Sequence, residues 1–160
     1  MSDNEIFDRL KSLVGYETEV TDDDPIEAGM IRRFAQALGD DNPLYYDEEY
    51  ARKGGFNSII APPTFVFEWK HSEALRADET GAYIADYRLP PRFVRAGNEY
   101  EFIKPLCPGD IITTKSKIKD VYQKQRASGE TMVFIVSEST YINQHQAILG
   151  IQRGVFVVFA

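Results

Sequence analysis

The sequence predicts an α+β domain in which an antiparallel sheet meanders beside one buried helix. Three observations predict it. The first half is helical in period and punctuated by caps. The second half, from Gly97, is strand-rich: Asn98 to Lys104 alternates, and long apolar-centred runs follow, separated by turn residues. Between them, Phe65, Val66, Phe67, Trp69 and Leu75 make one segment apolar on most sides, as in a helix enclosed by protein. With 160 residues, 43% hydrophobic and 27% charged, the chain suits one domain, 1–160, with a real core.

The elements follow in order. Asn4 to Leu13 reads as a short helix, with Ile6, Leu10 and Leu13 on one face. Tyr16 to Val20 alternates as a strand. Asp24-Pro25-Ile26-Glu27 reads as a helix start, with Asp24 as cap, Pro25 first and Glu27 reaching back. That helix runs to Leu38, buries Ile31, Phe34, Ala35 and Leu38, and stops at Gly39. Asp47 caps a second helix, Glu48 to Lys53, closed by Gly54-Gly55. Ala61-Pro62-Pro63-Thr64 opens the buried helix, and Pro63 or Thr64 is its first residue. A loop is expected from Ala77 to Arg95. Strands then follow at Asn98–Lys104, Ile111–Tyr122, Thr131–Ile142 and Ala147–Phe159. Turns at Pro105–Asp110, Gln125–Glu130 and Asn143–Gln146 separate them. The last three strands exceed the usual length of about 5–6 residues.

Charge and composition exclude several functions. A net charge of −7 argues against nucleic acid and against anionic membrane as partners. No apolar run of about 18 residues is present, so no transmembrane helix is expected. The acidic start, MSDNEIFDRLKSLVG, lacks the apolar core of a signal peptide. A single cysteine, Cys107, excludes an internal disulfide. The expectation is a soluble, cytoplasmic protein. His71 and His145 stand apart from any Cys/His cluster, so no metal site is expected. The phosphate-cradling glycine motifs and G-x-S-x-G are missing, and no cofactor is expected.

The chemistry-bearing segment is Gly39-Asp40-Asp41-Asn42-Pro43-Leu44-Tyr45-Tyr46-Asp47. It resembles the G-D-x-N-P-x-H-x-D segment of the MaoC-like hydratases and dehydratases, with Tyr45 at the histidine position. Two further segments extend the likeness over most of the chain. Ala61-Pro62-Pro63-Thr64-Phe65 resembles the A-P-P-T-F start of that family's central helix. Tyr100-Glu101-Phe102 with Pro105-Leu106-Cys107-Pro108-Gly109-Asp110 resembles its Y-E-F…R-P-x-x-P-G-D segment. The resemblance implies a single hotdog fold, a long antiparallel sheet wrapped around a central buried helix. It implies hydration of trans-2-enoyl thioesters, or the reverse, on coenzyme A or acyl carrier protein.

Carried over by position, Asp40 is the catalytic acid and Asn42 shapes the turn. Pro63, Thr64 and Phe65 mark the helix start that meets substrate, where only the Thr64 and Phe65 amides can polarise a carbonyl. Tyr45 departs from the pattern. A histidine exchanges protons near neutrality, whereas a tyrosine titrates near 10. Asp47 is an N-cap, Cys107 a packing residue, and His71 and His145 surface residues.

The resemblance is strongest to the non-catalytic subunit type of (3R)-hydroxyacyl-thioester dehydratases. It implies a structural and acyl-tunnel subunit paired with a second hotdog subunit, as a hetero- or homodimer. Alternatives are a self-sufficient hydratase, a thioesterase using Asp40 or Glu68, and a non-enzymatic acyl-CoA binding module.

Overall fold

Alternating sequence becomes a sheet because one face of each strand meets the core. The computed structural model describes residues 3–68, 75–78, 81–84, 87–90 and 92–159. In chain order the elements are α1 (Asp3–Lys11), β1 (Glu17–Thr21), α2 (Ala28–Leu38), a 3-10 turn (Pro43–Tyr45), α3 (Glu48–Lys53), α4 (Phe65–Glu68), β2 (Leu75–Asp78), β3 (Gly81–Ile84), β4 (Tyr87–Arg88), β5 (Phe93–Phe102), β6 (Ile112–Gln125), β7 (Thr131–Asn143) and β8 (Ile148–Phe159). Strands β1-β6-β7-β8-β5, in that order, form a five-stranded antiparallel sheet. Strands β2-β3-β4 form a small second sheet.

The inner face of the large sheet carries two apolar clusters. One joins Ile31 and Ala35 of α2, Tyr45, Phe65, Val66 and Phe67 to Ile112, Tyr141 and Leu149 of the sheet. The other joins Ile6 and Leu10 of α1, with Ile84 and Leu89, to Val121, Val133, Ile135 and Phe156. Burying one such aliphatic or aromatic side chain stabilises by about 1.5–3 kcal/mol. Lys11 fastens α1 to the sheet at the β6 bulge, donating to Asp120 at 2.8 Å and to the Val121 carbonyl at 2.6 Å.

The buried helix rests on one close approach. Phe67 lies over Gly150 of β8, where a Cβ would stand 2.7 Å from the Phe67 Cζ. Around that ring stand Tyr100, Phe102 and Tyr141, with centroids 4.7, 5.4 and 5.1 Å away. A side chain at position 150 would press on the Phe67 ring and on the Glu101 carbonyl, 3.0 Å from that Cβ, so one of them must shift.

Three expectations need correction. First, α2 begins at Ala28, with Glu27 as an N-cap that makes no side-chain bond, and not at Asp24-Pro25. The cause is distant in sequence. The Ile26 N–H donates to the Asp110 carbonyl at 2.8 Å, and the Gly109 N–H donates to the Ile26 carbonyl at 2.8 Å. That pair of bonds takes Ile26 out of the helical ladder. Second, Leu38 is 55% exposed, because the core reaches Ile31, Phe34 and Ala35 but stops short of the last turn. Third, the expected loop from Ala77 to Arg95 contains β3, β4 and the start of β5, and Leu75 opens β2 and does not extend the buried helix. Trp69 and His71 lie outside the described residues.

Replacing Gly150 with alanine is expected to destabilise the fold by about 1–3 kcal/mol. Urea unfolding with an unchanged m-value is the measurement, and a neutral result would contradict the seating of Phe67.

Candidate functional site

The candidate site is a loop held by its own side chains. It starts where α2 stops. Gly39 adopts a left-handed conformation, φ 68°, that a side chain would strain. Its N–H donates to Gln36 O and the Asp40 N–H to Ala35 O, each at 3.0 Å, closing a Schellman motif. The Asp40 Oδ1 then accepts the Asn42 N–H at 3.1 Å, and the Asn42 Oδ1 accepts the Leu44 N–H at 3.1 Å. Two successive Asx turns lead into the 3-10 turn, which Pro43 begins. Tyr46 closes the loop by donating its hydroxyl to the Asp40 carbonyl at 2.7 Å. Asp47 caps α3 by accepting the Glu49 and Tyr50 N–H groups at 2.8 and 3.0 Å.

The start of α4 is tied to this loop. The Ile60 N–H donates to the Leu44 carbonyl at 3.0 Å, and the Ala61 N–H to the Leu106 carbonyl at 2.8 Å. Pro63 and Thr64 are exposed, whereas Phe65 is buried against Phe34 at 4.9 Å between ring centroids. The Phe65 N–H already donates to Pro62 O at 2.9 Å. Thr64 is therefore the better placed of the two amides to meet a ligand.

Tyr45 is 7% exposed and belongs to the same apolar cluster as Phe65 and Phe67. Burial pushes its phenol above the ordinary value of 10.0, and the nearby Asp40 carboxylate pushes it further. A hydrogen bond with the Asn42 side chain offsets part of this. Asp40, Asn42 and Tyr45 thus act on one another, while Pro63 and Thr64 stand at the neighbouring helix start. The phenol stays protonated at neutral pH and is a hydrogen-bond donor, not a base.

Other residues have structural duties. Asp110 is buried, accepts the Cys107 N–H at 2.8 Å and the Asn143 Nδ2 at 3.0 Å, and so fixes the Pro-Gly turn. Burial, then the Asp110 charge, push the Cys107 thiol up, away from nucleophilic thiolate. His145 is exposed in the turn before β8. The side chain of Glu68 lies outside the described residues. Sequence reasoning missed Tyr46 as a loop clamp and Gly150 as the helix seat. Each acts on a distant group that no local pattern marks.

Comparison with known proteins decides the family. Residues 12–149 match the model of the FAS1-like, dehydratase domain region. The chain belongs to the MaoC-like hotdog dehydratase family. It is 32% identical over 141 residues to a probable enoyl-CoA hydratase alpha subunit of Thermomonospora curvata, covering 81% of this chain but 44% of that protein. The chain thus spans less than half the length of that relative. Among solved structures it resembles a chain of the ChsH1–ChsH2 complex of Mycobacterium tuberculosis, with TM-score 0.73, 23% identity and coverage of 98% and 90%. It also resembles a MaoC-like dehydratase of Rhodospirillum rubrum, with TM-score 0.68, 21% identity and coverage of 91% and 92%. These two likenesses establish the hotdog fold. No helix among the described residues is long and apolar enough to cross a membrane.

The Tyr45 environment sets an alkaline expectation. The folded phenol holds its proton past the pH at which an unfolded one ionises. Its contribution to stability is therefore complete below about pH 10 and is lost as pH rises through the raised folded value. Phenolate absorbance, with Tyr45→Phe as the subtraction control, is expected to show Tyr45 titrating above 10. Asp40→Asn should move that titration down without restoring the ordinary value. An Asp40→Asn variant that leaves it unmoved would contradict the coupling.

Proposed function

We propose that this chain is the structural and acyl-tunnel subunit of a (3R)-specific enoyl-thioester hydratase, or 3-hydroxyacyl-thioester dehydratase, paired with a second hotdog subunit. In this reading it is one domain, 1–160, working in the cytoplasm on acyl-CoA or acyl-carrier thioesters. The chain is a MaoC-like hydratase/dehydratase hotdog domain. What carries the finer reading is Tyr45, buried beside Asp40 with its phenol pushed up.

Hydration adds hydroxyl to C3 of a trans-2-enoyl thioester and a proton to C2. Some group must take a proton from water and some group must deliver one. Even an ordinary phenol is ionised to only about one part in a thousand at pH 7. Asp40 has one carboxylate oxygen committed to the Asn42 N–H. That commitment also weighs against Asp40 as the lone water-activating base of a thioesterase. The loop retains its form, and the proton acceptor is assigned to the other subunit. In this reading the Thr64 amide and the Phe65 side chain meet the thioester and its acyl group.

The sheet supports a partner. Strand β5 pairs with β8 on one side, and no described strand pairs with its other side. Along it Val94 is 50% and Phe102 52% exposed. An open edge of that length invites another strand. Phe102 also packs on Phe67, so a subunit that covers it reaches the cluster that holds Tyr45.

The purified chain is expected to leave crotonyl-CoA essentially unhydrated, followed by loss of enoyl absorbance. Robust turnover would contradict the proposal. Tyr45→His completes the family pair and is expected to raise that rate on the order of 10²-fold or more. No gain would show that position 45 does not face the reacting atoms.

A further inference from the structure

The outer face of the sheet carries a transverse row of charge. Glu17, Lys117, Glu138, Arg153 and Glu99 are direct cross-strand neighbours over β1, β6, β7, β8 and β5. Their signs alternate. Lys117 meets Glu17 at 2.6 Å, and Arg153 meets Glu138 at 3.0 Å and Glu99 at 2.7 Å. The adjacent row runs Glu19, Lys115, Thr140, Ile151 and Glu101. Both rows end on an acid at the open edge of β5.

The two sheet edges differ in how those acids are neutralised. On β1, Glu17 and Glu19 each have a lysine of their own, at 2.6 and 3.3 Å. On β5, among the described residues, Arg153 alone serves Glu99 and also reaches Glu101 at 3.2 Å, while holding Glu138. Lys119 shares only Glu138, at 3.1 Å. Arg95, the cation of β5 itself, lies before the strand's bulge with its guanidinium 5.2 Å from the Phe156 ring centroid. The outer face of the β5 edge is left with excess negative charge at Glu99 and Glu101, which share Arg153 with Glu138.

In the registers that centre the two edges on Glu99, Tyr100 or Glu101, self-pairing meets that excess head-on. An antiparallel copy continuing the same sheet sets outer-face residues opposite outer-face residues. Centred on Tyr100, it places Glu99 opposite Glu101 of the second copy, twice. Centred on Glu99 or Glu101, it places that acid opposite itself. Like charges directly opposite are destabilising. A cation at the same place would extend the alternation by one strand. We propose that the β5 edge is a charge-coded docking site for a different hotdog subunit, one whose edge strand presents Lys or Arg opposite Glu99 and Glu101, and that it disfavours a second copy of this chain. The proposal rests on the paired-subunit reading above and specifies the partner.

The test mixes the wild-type chain with a Glu99→Lys/Glu101→Lys copy and follows both by sedimentation velocity. Each alone is expected to stay monomeric at micromolar concentration in low salt. The mixture is expected to form dimers roughly 10- to 100-fold tighter than either alone. High salt should weaken them. A wild-type dimer as tight as the mixed one, or a mixture that does not associate, overturns the proposal. Circular dichroism checks folding of the reversed copy. If it fails to fold, Glu99→Gln/Glu101→Gln takes its place and is expected to self-associate more tightly than wild type. Equal or weaker association contradicts the proposal. These readouts use no activity. Failure here leaves the dehydratase reading standing, and failure of the crotonyl-CoA assay leaves the mixed dimer intact.

Discussion

The architecture depends on the contact of Phe67 with Gly150. A helix backbone approaches a sheet only as closely as the side chains between them allow. Here one side chain is missing, and the Phe67 ring occupies its place. That ring gathers Tyr100 and Phe102 of β5 and Tyr141 of β7, and packs α4 into the same cluster as Tyr45. The loop is then tied to the helix start through Ile60 and Leu44. Sheet, helix and site are thus one packed unit, and a change at Gly150 would be felt at Tyr45.

Within that unit the loop keeps its form by local bonds, with a tyrosine at position 45. Asp40, Asn42 and Tyr46 hold one another, so the conformation does not need a histidine. Tyrosine at position 45 fills the apolar cluster and stays protonated. Conserving the shape of such a pocket while moving proton transfer elsewhere is chemically coherent. Acyl-group binding and acid/base chemistry place separate demands on a site, and two subunits can divide them.

Much of this was legible in the sequence, and the misses share a cause. The long strand β6 was readable because one face is buried and the other is charged, and β7 and β8 because they are long apolar runs bounded by turn residues. Gly39 and Asp47 were readable as helix punctuation because caps act within a few residues. The start of α2 was not, because a backbone pairing with Gly109 and Asp110 overrides a sound local signal at Asp24-Pro25. The short strands β2, β3 and β4 were hidden by their length, too brief for alternation to show. In the site, the positions of Asp40, Asn42 and Tyr45 were readable from the motif. The Tyr46 bond was not, since its acceptor is a main-chain carbonyl that no residue type announces.

The central claim is that proton transfer belongs to a partner and loop shape to this chain. The most direct measurement is kcat of the complex reconstituted with a hotdog subunit that carries the complete G-D-x-N-P-x-H segment. Asp40→Asn in this chain keeps the oxygen that accepts the Asn42 N–H. The account predicts that this change alters kcat by no more than a few-fold, while alanine at the other subunit's histidine lowers it by about 10²–10⁴. A collapse of kcat on Asp40→Asn, with the other subunit's histidine dispensable, would contradict it.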